Sequence, residues 1–411
     1  MIRDRNLILL VGGQFLSRLG DTVFHIGLLW LVLEISESRR ATGAVAMVEH
    51  LPILLFGLLA GVVVDRLDRR KVMLGSSLFR GAMMMGIPLI ALAGGLSIGL
   101  ILVWAFIFAI AMSLFMPARD SLIPHLVAEP DRLRANTLVQ GSDQFAWFLG
   151  PLIAAGLLGL VGSVQLFWGA ALLFGVSFVM LRFVGKNIAL PSAEGPDALL
   201  QTSETGGPRG ARLAWHDARD GLRLVWQHED LRWLLILTAV NNFFIMGPAI
   251  VAMPIYIRQD LGLGGSHYAG IEAVLAAGML TGSALILKGW PRLSKGRLWL
   301  SGMIADGLTY GPMLLAPAFG WLVPLIFVHA FFIPWITISR VSLVQDLTPD
   351  AMRGRVFSFM GMSVVGMTAL SAGITGLLLE WVPTHILFGT WGFLGMLCGL
   401  VGVSIKRLRR L

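Results

Sequence analysis

The sequence predicts an all-α membrane protein with twelve transmembrane helices in two six-helix bundles. Three observations predict it. The composition is too apolar for a chain surrounded by water. Twelve apolar runs are long enough to cross a bilayer. The second six of these runs echo the first six.

The hydrophobic fraction is 56%, the charged fraction 14% and the mean hydropathy +0.78. Soluble domains are nearer roughly 45–50% apolar and about 25% charged. A soluble chain this apolar could not cover its own surface, so the excess must face lipid. The 49 Gly and 18 Pro fit that setting. Small residues let membrane helices approach closely, and kinks line cavities. The single cysteine, Cys398, excludes a disulfide framework and a cysteine-rich metal site. No metal or cofactor is expected.

A span needs about 20 mostly apolar residues. The first six such runs are 6–33, 42–63, 72–93, 98–117, 136–159 and 164–185. The stretch after Arg3 and Arg5 is too long, and too interrupted by charge, for a cleavable signal, so it is expected to stay in the membrane. The second six are 231–257, 267–287, 298–316, 320–343, 354–378 and 385–405. Between the sets lies 186–230, with Pro191, Pro196, Gly206, Gly207 and Pro208 followed by an amphipathic run from Leu213 to His228. It reads as a flexible cytoplasmic linker ending in an interfacial helix. The expected domains are therefore a bundle over 1–185, the linker over 186–230 and a bundle over 231–411.

Positively charged loops stay in the cytoplasm. With the N-terminus placed inside, inner loops carry Arg66, Arg69, Arg70 and Lys71, then Arg119, Arg132 and Arg134. They also carry Lys288, Arg292, Lys295 and Arg297, then Arg353 and Arg355, and the tail adds Lys406, Arg407, Arg409 and Arg410. Outer loops hold only Arg39, Arg40 and Arg258. Both termini are thus expected inside, in the inner cell membrane. The net charge of +8 addresses the inner leaflet and its lipids, so no nucleic-acid partner is called for.

The repeat rests on polar anchors. Ala118-Arg119-Asp120-Ser121-Leu122 stands 221 residues before Ser339-Arg340-Val341-Ser342-Leu343, and both lead to Pro-Asp and then an arginine. Asp21-Thr22 matches Asn241-Asn242, Gly27 matches Gly247, and Gly57 and Gly61 match Gly278 and Gly282 at nearly the same offset. Parallel repeats of this kind predict two bundles related by an axis along the membrane normal, with a site at their interface near the midplane.

Between spans 2 and 3 the chain reads Gly61-Val-Val-Val-Asp65-Arg66-Leu67-Asp68-Arg69-Arg70-Lys71. This resembles the signature loop of the major facilitator superfamily, Gly-x-x-x-Asp-Arg-x-Gly-Arg-Arg/Lys. Asp68 replaces the usual Gly, and Asp tolerates left-handed backbone angles better than most residues. The stretches Gln14 to Asp21 and Pro117 to Pro124 resemble the macrolide-efflux and siderophore-export branch, and also the lysophospholipid transporters. Gly150-Pro151 in span 5 is a partial match to an antiporter motif. The resemblance implies a secondary transporter of small amphipathic compounds. Proton-coupled export is the first reading, and movement of lysophospholipid between leaflets is the alternative. It further implies that Asp65 caps a helix and that Arg69 pairs with a carboxylate on a neighbouring helix, for which Asp143 is the expected partner. Gly61, Asp65, Arg66, Arg69, Arg70, Arg119, Asp143 and Arg340 make up the expected latch.

Ionisable groups inside spans are costly and usually face a cavity or a partner. Arg18, Asp21 and His25 share one face of span 1. They are candidates for binding substrate or a proton, and a structural ion pair is the plainer reading. Glu49 in span 2, Glu272 in span 8 and Asp306 in span 9 are further candidates, as are Asn241 and Asn242, whose plainer role is interhelical hydrogen bonding. His329 in span 10 is a weaker one, and Arg80 in span 3 reads as a packing or snorkelling residue. No Gly-x-x-x-x-Gly-Lys-Ser/Thr loop is present, so a gradient must supply the energy. Protons are the expected coupling ion and a monomer the expected form. The scattered His25, His50 and His329 supply no enzyme centre.

Overall fold

The structure is a computed structural model describing residues 5–127, 132–185, 222–223, 225–289, 291–349 and 352–411. At 57–63, 65–66, 124, 132–134, 137 and 353–355 only the backbone is described. Gly57, Gly61, Asp65 and Arg66 therefore lie outside the described side chains, and residues 186–221 of the linker lie outside the described residues.

The first six helices are α1 (Arg5–Ser36), α2 (Arg39–Arg66), α3 (Arg69–Leu92), α4 (Ile98–Leu126), α5 (Arg132–Leu160) and α6 (Leu166–Arg182). The second six are α7 (Glu229–Asp260), α8 (Gly265–Leu287), α9 (Lys295–Thr309), α10 (Phe319–Leu347), α11 (Arg353–Leu378) and α12 (Thr384–Ser404), with a short α13 (Lys406–Arg410). Each expected span has one helix, and the protein is a multi-pass, all-α membrane protein. Among the described residues nine helices are long and apolar enough to cross a bilayer alone, and α6 is an apolar helix just short of that length.

Two helices depart from regular α geometry, for reasons visible in their sequences. In α7 the stretches Pro248–Ala252 and Tyr256–Asp260 are π-helical. Pro248 and Pro254 lack amide protons and crowd the preceding turn, so the ladder slips to i→i−5 pairing. The Met253 amide accordingly donates to Pro248 O. Span 9 was expected to run to residue 316, but α9 ends at Thr309 and a 3-10 turn follows over Gly311–Leu315. Pro312 disfavours α geometry at Gly311, and Ala316 closes the turn at φ 48°. Asp68 is not left-handed: at φ −60°, ψ 109° its side chain caps α3, accepting from the Arg70 and Lys71 amides. An N-capping Asp at the mouth of a helix is favoured in its own right.

Contacts divide the chain into two units, Met1–Leu31 with Pro52–Trp215, and Val32–Leu51 with His216–Leu411. In the first, α3 packs on α4 and α6. Glycines of α1 meet α6 closely: a Cβ on Gly20 would lie 2.7 Å from the Phe174 ring. In the second, α8 and α9 pack on α10, α7 packs on α11 and α12, and α9 packs on α12. A Cβ on Gly278 would lie 2.7 Å from Ala330 of α10, the close approach that small residues permit between membrane helices. Val225, at the end of the expected interfacial helix, is buried in the core of this unit with Leu234, Trp299 and Leu343.

Segment Val32–Leu51 is tied into the second unit at several points. Arg39 Nη1 donates to Leu379 O at 2.7 Å and Arg39 Nε to Gln259 Oε1 at 2.7 Å. Gln259 Nε2 donates to Glu37 O at 2.8 Å. The backbones of α2 and α11 nearly touch at Gly43 and Gly376, where a Cβ on Gly43 would lie 2.6 Å from Gly376 Cα.

Candidate functional site

The first unit contains a chain of alternating charges inside its apolar body. Arg80 of α3 is fully buried, and its Nη1 lies 2.5 Å from Asp21 Oδ1 of α1. Arg80 Nη2 donates to Ser17 Oγ at 2.8 Å and Nε to Ser76 O at 3.3 Å. The rings of Phe115 and Phe174 each lie 4.8 Å from its Cζ, so aromatic faces carry the rest of the cation. Arg18 stands one turn before Asp21 and reaches two acids, Asp21 Oδ2 at 3.7 Å and Asp143 Oδ1 at 3.4 Å. Arg119 of α4 is also fully buried. Its Nη1 donates to Asp143 Oδ2 at 2.7 Å and to Gln14 Oε1 at 2.6 Å, and its Nε donates to Asp120 Oδ1 at 2.8 Å. Gln14 in turn donates to Val139 O at 2.9 Å and to the Ser142 hydroxyl.

The chain runs Arg80, Asp21, Arg18, Asp143, Arg119, Asp120 and joins α1, α3, α4 and α5. Pairing and hydrogen bonding are what make buried charges tolerable in an apolar medium. Sequence reasoning missed the central part of Arg80. A signal existed: Arg80 stands 11 residues into α3, about 17 Å at 1.5 Å per residue, which is too deep to snorkel. Gln14 and Ser17 were missed as well, because single polar residues in an apolar span look alike in sequence.

Other expected sites land differently. Asp143 meets Arg119 and Arg18, while Arg69 contacts His125 and Arg70 donates to Arg182 O. The Arg69–Asp143 pairing expected of the latch is thus replaced by a deeper one on α4. Its physical reason is position, since Arg69 opens α3 whereas Arg119 is buried beside Asp143. His25 is half-buried on α1. Asn241 Nδ2 lies 3.5 Å from Gly395 O, and Asn242 Nδ2 donates to Val364 O at 3.0 Å and Thr368 Oγ1 at 2.8 Å. Both asparagines hold α7 to its neighbours. Arg340 repeats the position of Arg119 but makes no hydrogen bond or ion pair among the described residues.

The second unit gathers the remaining candidates. Asp306 of α9 and His329 of α10 are 2% and 1% exposed. His329 Nδ1 lies 3.4 Å from Asp306 Oδ1, 3.2 Å from Asp306 O and 2.9 Å from Thr309 Oγ1. The Tyr310 ring stacks on His329 with centroids 4.2 Å apart. The charges of Asp306 and Glu272 act on Tyr310, and those of Glu272 and Glu49 act on Tyr268. Glu49, Glu272, Asp306 and His329, separate in sequence, therefore belong to one polar neighbourhood. Among the described residues no group of His, Cys, Asp and Glu could hold a metal ion.

Residues 10–305 match the family model described as the Major Facilitator Superfamily. The chain is 26% identical over 419 residues to the "Multidrug efflux pump Tap" of Mycolicibacterium fortuitum, covering 98% of this chain and 97% of that protein. It is 21% identical to "Macrolide efflux protein A" of Streptococcus pyogenes, covering 97% and 95%. Its fold is like that of a POT family transporter crystallised with 5-aminolevulinic acid, with a TM-score of 0.76 at 14% identity over 98% of this chain and 96% of that one. The helices, the repeat, the signature loop and the family match agree, and the chain belongs to the major facilitator superfamily of membrane transporters.

Proposed function

We propose that the chain is a gradient-driven exporter of small hydrophobic or amphipathic compounds, with protons as the coupling ion. The observation that carries this reading is the end-to-end similarity to the multidrug efflux pump Tap, 98% of this chain against 97% of that one. The macrolide efflux relative supports the same substrate class. Proton coupling draws support from buried ionisable groups in both units, a costly feature in a membrane that is usually functional. The basic residues of the loops between spans 2 and 3, 4 and 5, 8 and 9, and 10 and 11 support an inner-membrane protein with both termini in the cytoplasm.

Within this reading, the Arg80–Asp21–Arg18–Asp143–Arg119 chain holds α1, α3, α4 and α5 as one body. Alternating access in such folds is largely rocking of rigid bundles. A bundle braced by buried ion pairs suits that motion, because breaking any single pair strands a charge.

The test is transport by the purified protein in proteoliposomes. Ethidium, erythromycin and a fluorescent lysophosphatidylethanolamine serve as probes, each with and without an imposed pH gradient. Gradient-dependent movement of ethidium or erythromycin is expected. Movement of the lysophospholipid alone, or of no probe, overturns the reading.

A further inference from the structure

We propose that Asp306 and His329 form a proton-binding site inside the second unit, taking up and releasing one proton per transport cycle. The proposal rests on the gradient-driven reading above and goes beyond it by naming the carrier. Both side chains are buried, and Asp306 Oδ1 accepts no hydrogen bond among the described residues. A buried carboxylate oxygen without a donor is a costly arrangement. His329 Nδ1 stands 3.4 Å from that same oxygen. A carboxylate beside a neutral imidazole carries one negative charge between them. Binding a proton makes the pair neutral overall, whether the proton sits on Asp306 Oδ1 or on His329 Nδ1, and releasing it restores the charge.

The surroundings offer little else to balance that charge. From α10 comes His329 itself. From α8 come Tyr268 and Glu272, and from the start of α2 comes Glu49, which acts on Tyr268. Tyr310, which follows α9, stacks on His329, and the charges of Asp306 and Glu272 act on it. From α12, Gly392 and Met396 present backbone against Gly307, Cys398 donates to Leu394 O within its own helix, and His385 stands in the first turn. The α13 segment meets α9 at Gly296, far from Asp306. Every acid in this neighbourhood is an anion or a proton carrier, and none of these groups is a lysine or arginine. Asp306 lies 11 residues from Lys295 at the start of α9, about 17 Å along a helix rising 1.5 Å per residue. In a hydrocarbon core about 30 Å thick that is close to the middle.

Asp21, the carrier suggested by sequence, has another setting. Its Oδ1 lies 2.5 Å from a fully buried guanidinium. Protonating it would leave Arg80, among the described residues, with Ser17 Oγ, Ser76 O and two phenyl faces but no counter-charge in hydrogen-bond contact. Asp21 would have to give up its pair with Arg80 to take a proton, whereas Asp306 is paired with no lysine or arginine among the described residues.

The experiment compares wild type, Asp306→Asn and His329→Gln in proteoliposomes with ethidium as probe. Two rates are read: accumulation driven by a pH gradient, and exchange of ethidium across the membrane at equal pH. Both variants should lose gradient-driven accumulation while exchange stays within about twofold of wild type. Retained accumulation in either variant overturns the site. Loss of exchange along with accumulation also overturns it, because the pair would then be structural. If one variant does not fold, the other decides. A wild type that exchanges ethidium without responding to the gradient fails the proton-driven reading itself, which separates the two failures.

Discussion

The ion pair between Arg80 and Asp21 makes an asymmetric prediction. Asp21→Asn keeps an amide oxygen for Arg80 but leaves that fully buried arginine with neutral acceptors alone among the described residues: the new amide, Ser17 Oγ and Ser76 O. Removing one partner of a buried pair costs about 3–5 kcal/mol, mostly from the charge left behind. Arg80→Met keeps apolar volume against Phe115 and Phe174, and Asp21 retains Arg18 at 3.7 Å. That variant should cost less, about 1–3 kcal/mol, the penalty of a poorly satisfied buried acceptor. In the double variant neither full charge is stranded. Its cost should fall short of the sum of the singles by about 2 kcal/mol, within the range found for residues in contact. The assay is unfolding by denaturant in mixed micelles, followed by intrinsic fluorescence of the 13 tryptophans. Additivity within about 0.5 kcal/mol would refute the coupling. So would Arg80→Met costing more than Asp21→Asn.

Three further outcomes are expected. Arg119→Lys loses the fork that serves Asp143, Gln14 and Asp120 together, so transport should fall even though the charge is kept, and a lysine variant with wild-type transport contradicts the bracing role. In a Cys398→Ser background, Arg39→Ala should speed labelling of Ala46→Cys by a membrane-impermeant maleimide about a hundredfold or more, since two charged hydrogen bonds of about 1.5–3 kcal/mol each hold that segment; an unchanged rate means the Val32–Leu51 segment is held by packing alone. Lys295→Met should shift the unfolding midpoint negligibly, because its 2.5 Å pair with Asp346 is about half exposed and such pairs contribute at most about 1 kcal/mol; a larger loss would show a buried role.

The fold was legible because a bilayer imposes strong constraints on sequence. Span length, loop charge and the echo of Arg119 at Arg340 each reflect one physical demand, and all twelve spans correspond to helices. Boundaries failed where local chemistry overrode hydropathy, as at Pro312, which ends α9 early. Asp68 was read through the glycine it replaces, while its own capping chemistry decides its conformation. The candidate site was legible as a set of residues and illegible as a set of pairs. Sequence places Asp21 and Asp143 in apolar spans and Arg119 in an inner loop, and only three dimensions show that Arg119, buried on α4, rather than Arg69 reaches Asp143. Arg80 was undervalued because its nearest acid lies 59 residues away on another helix.

The repeat carries a last argument about division of labour. The two halves share positions but not charges. Where the first has Asp21, the second has Asn241, which donates to a backbone carbonyl and to no side chain among the described residues. Arg119 has three side-chain partners, whereas its counterpart Arg340 has none among the described residues. The first unit thus concentrates arginine and carboxylate together, an arrangement in which separating one pair strands a buried charge. The second replaces that chain with amides and places its buried acid beside histidine and tyrosine instead. A body that must stay rigid and a body that must exchange a proton have opposite needs, since a fixed counter-charge serves the one and defeats the other. Moving a counter-charge into the second unit should therefore do more damage than removing one from the first. Tyr310→Lys, at the position stacked on His329, should abolish gradient-driven transport by holding Asp306 ionised, while equal-pH exchange persists; a Tyr310→Phe control keeps the ring stack on His329 and should remain coupled. Coupling that survives Tyr310→Lys in a folded protein would remove the reason for assigning the proton to this unit.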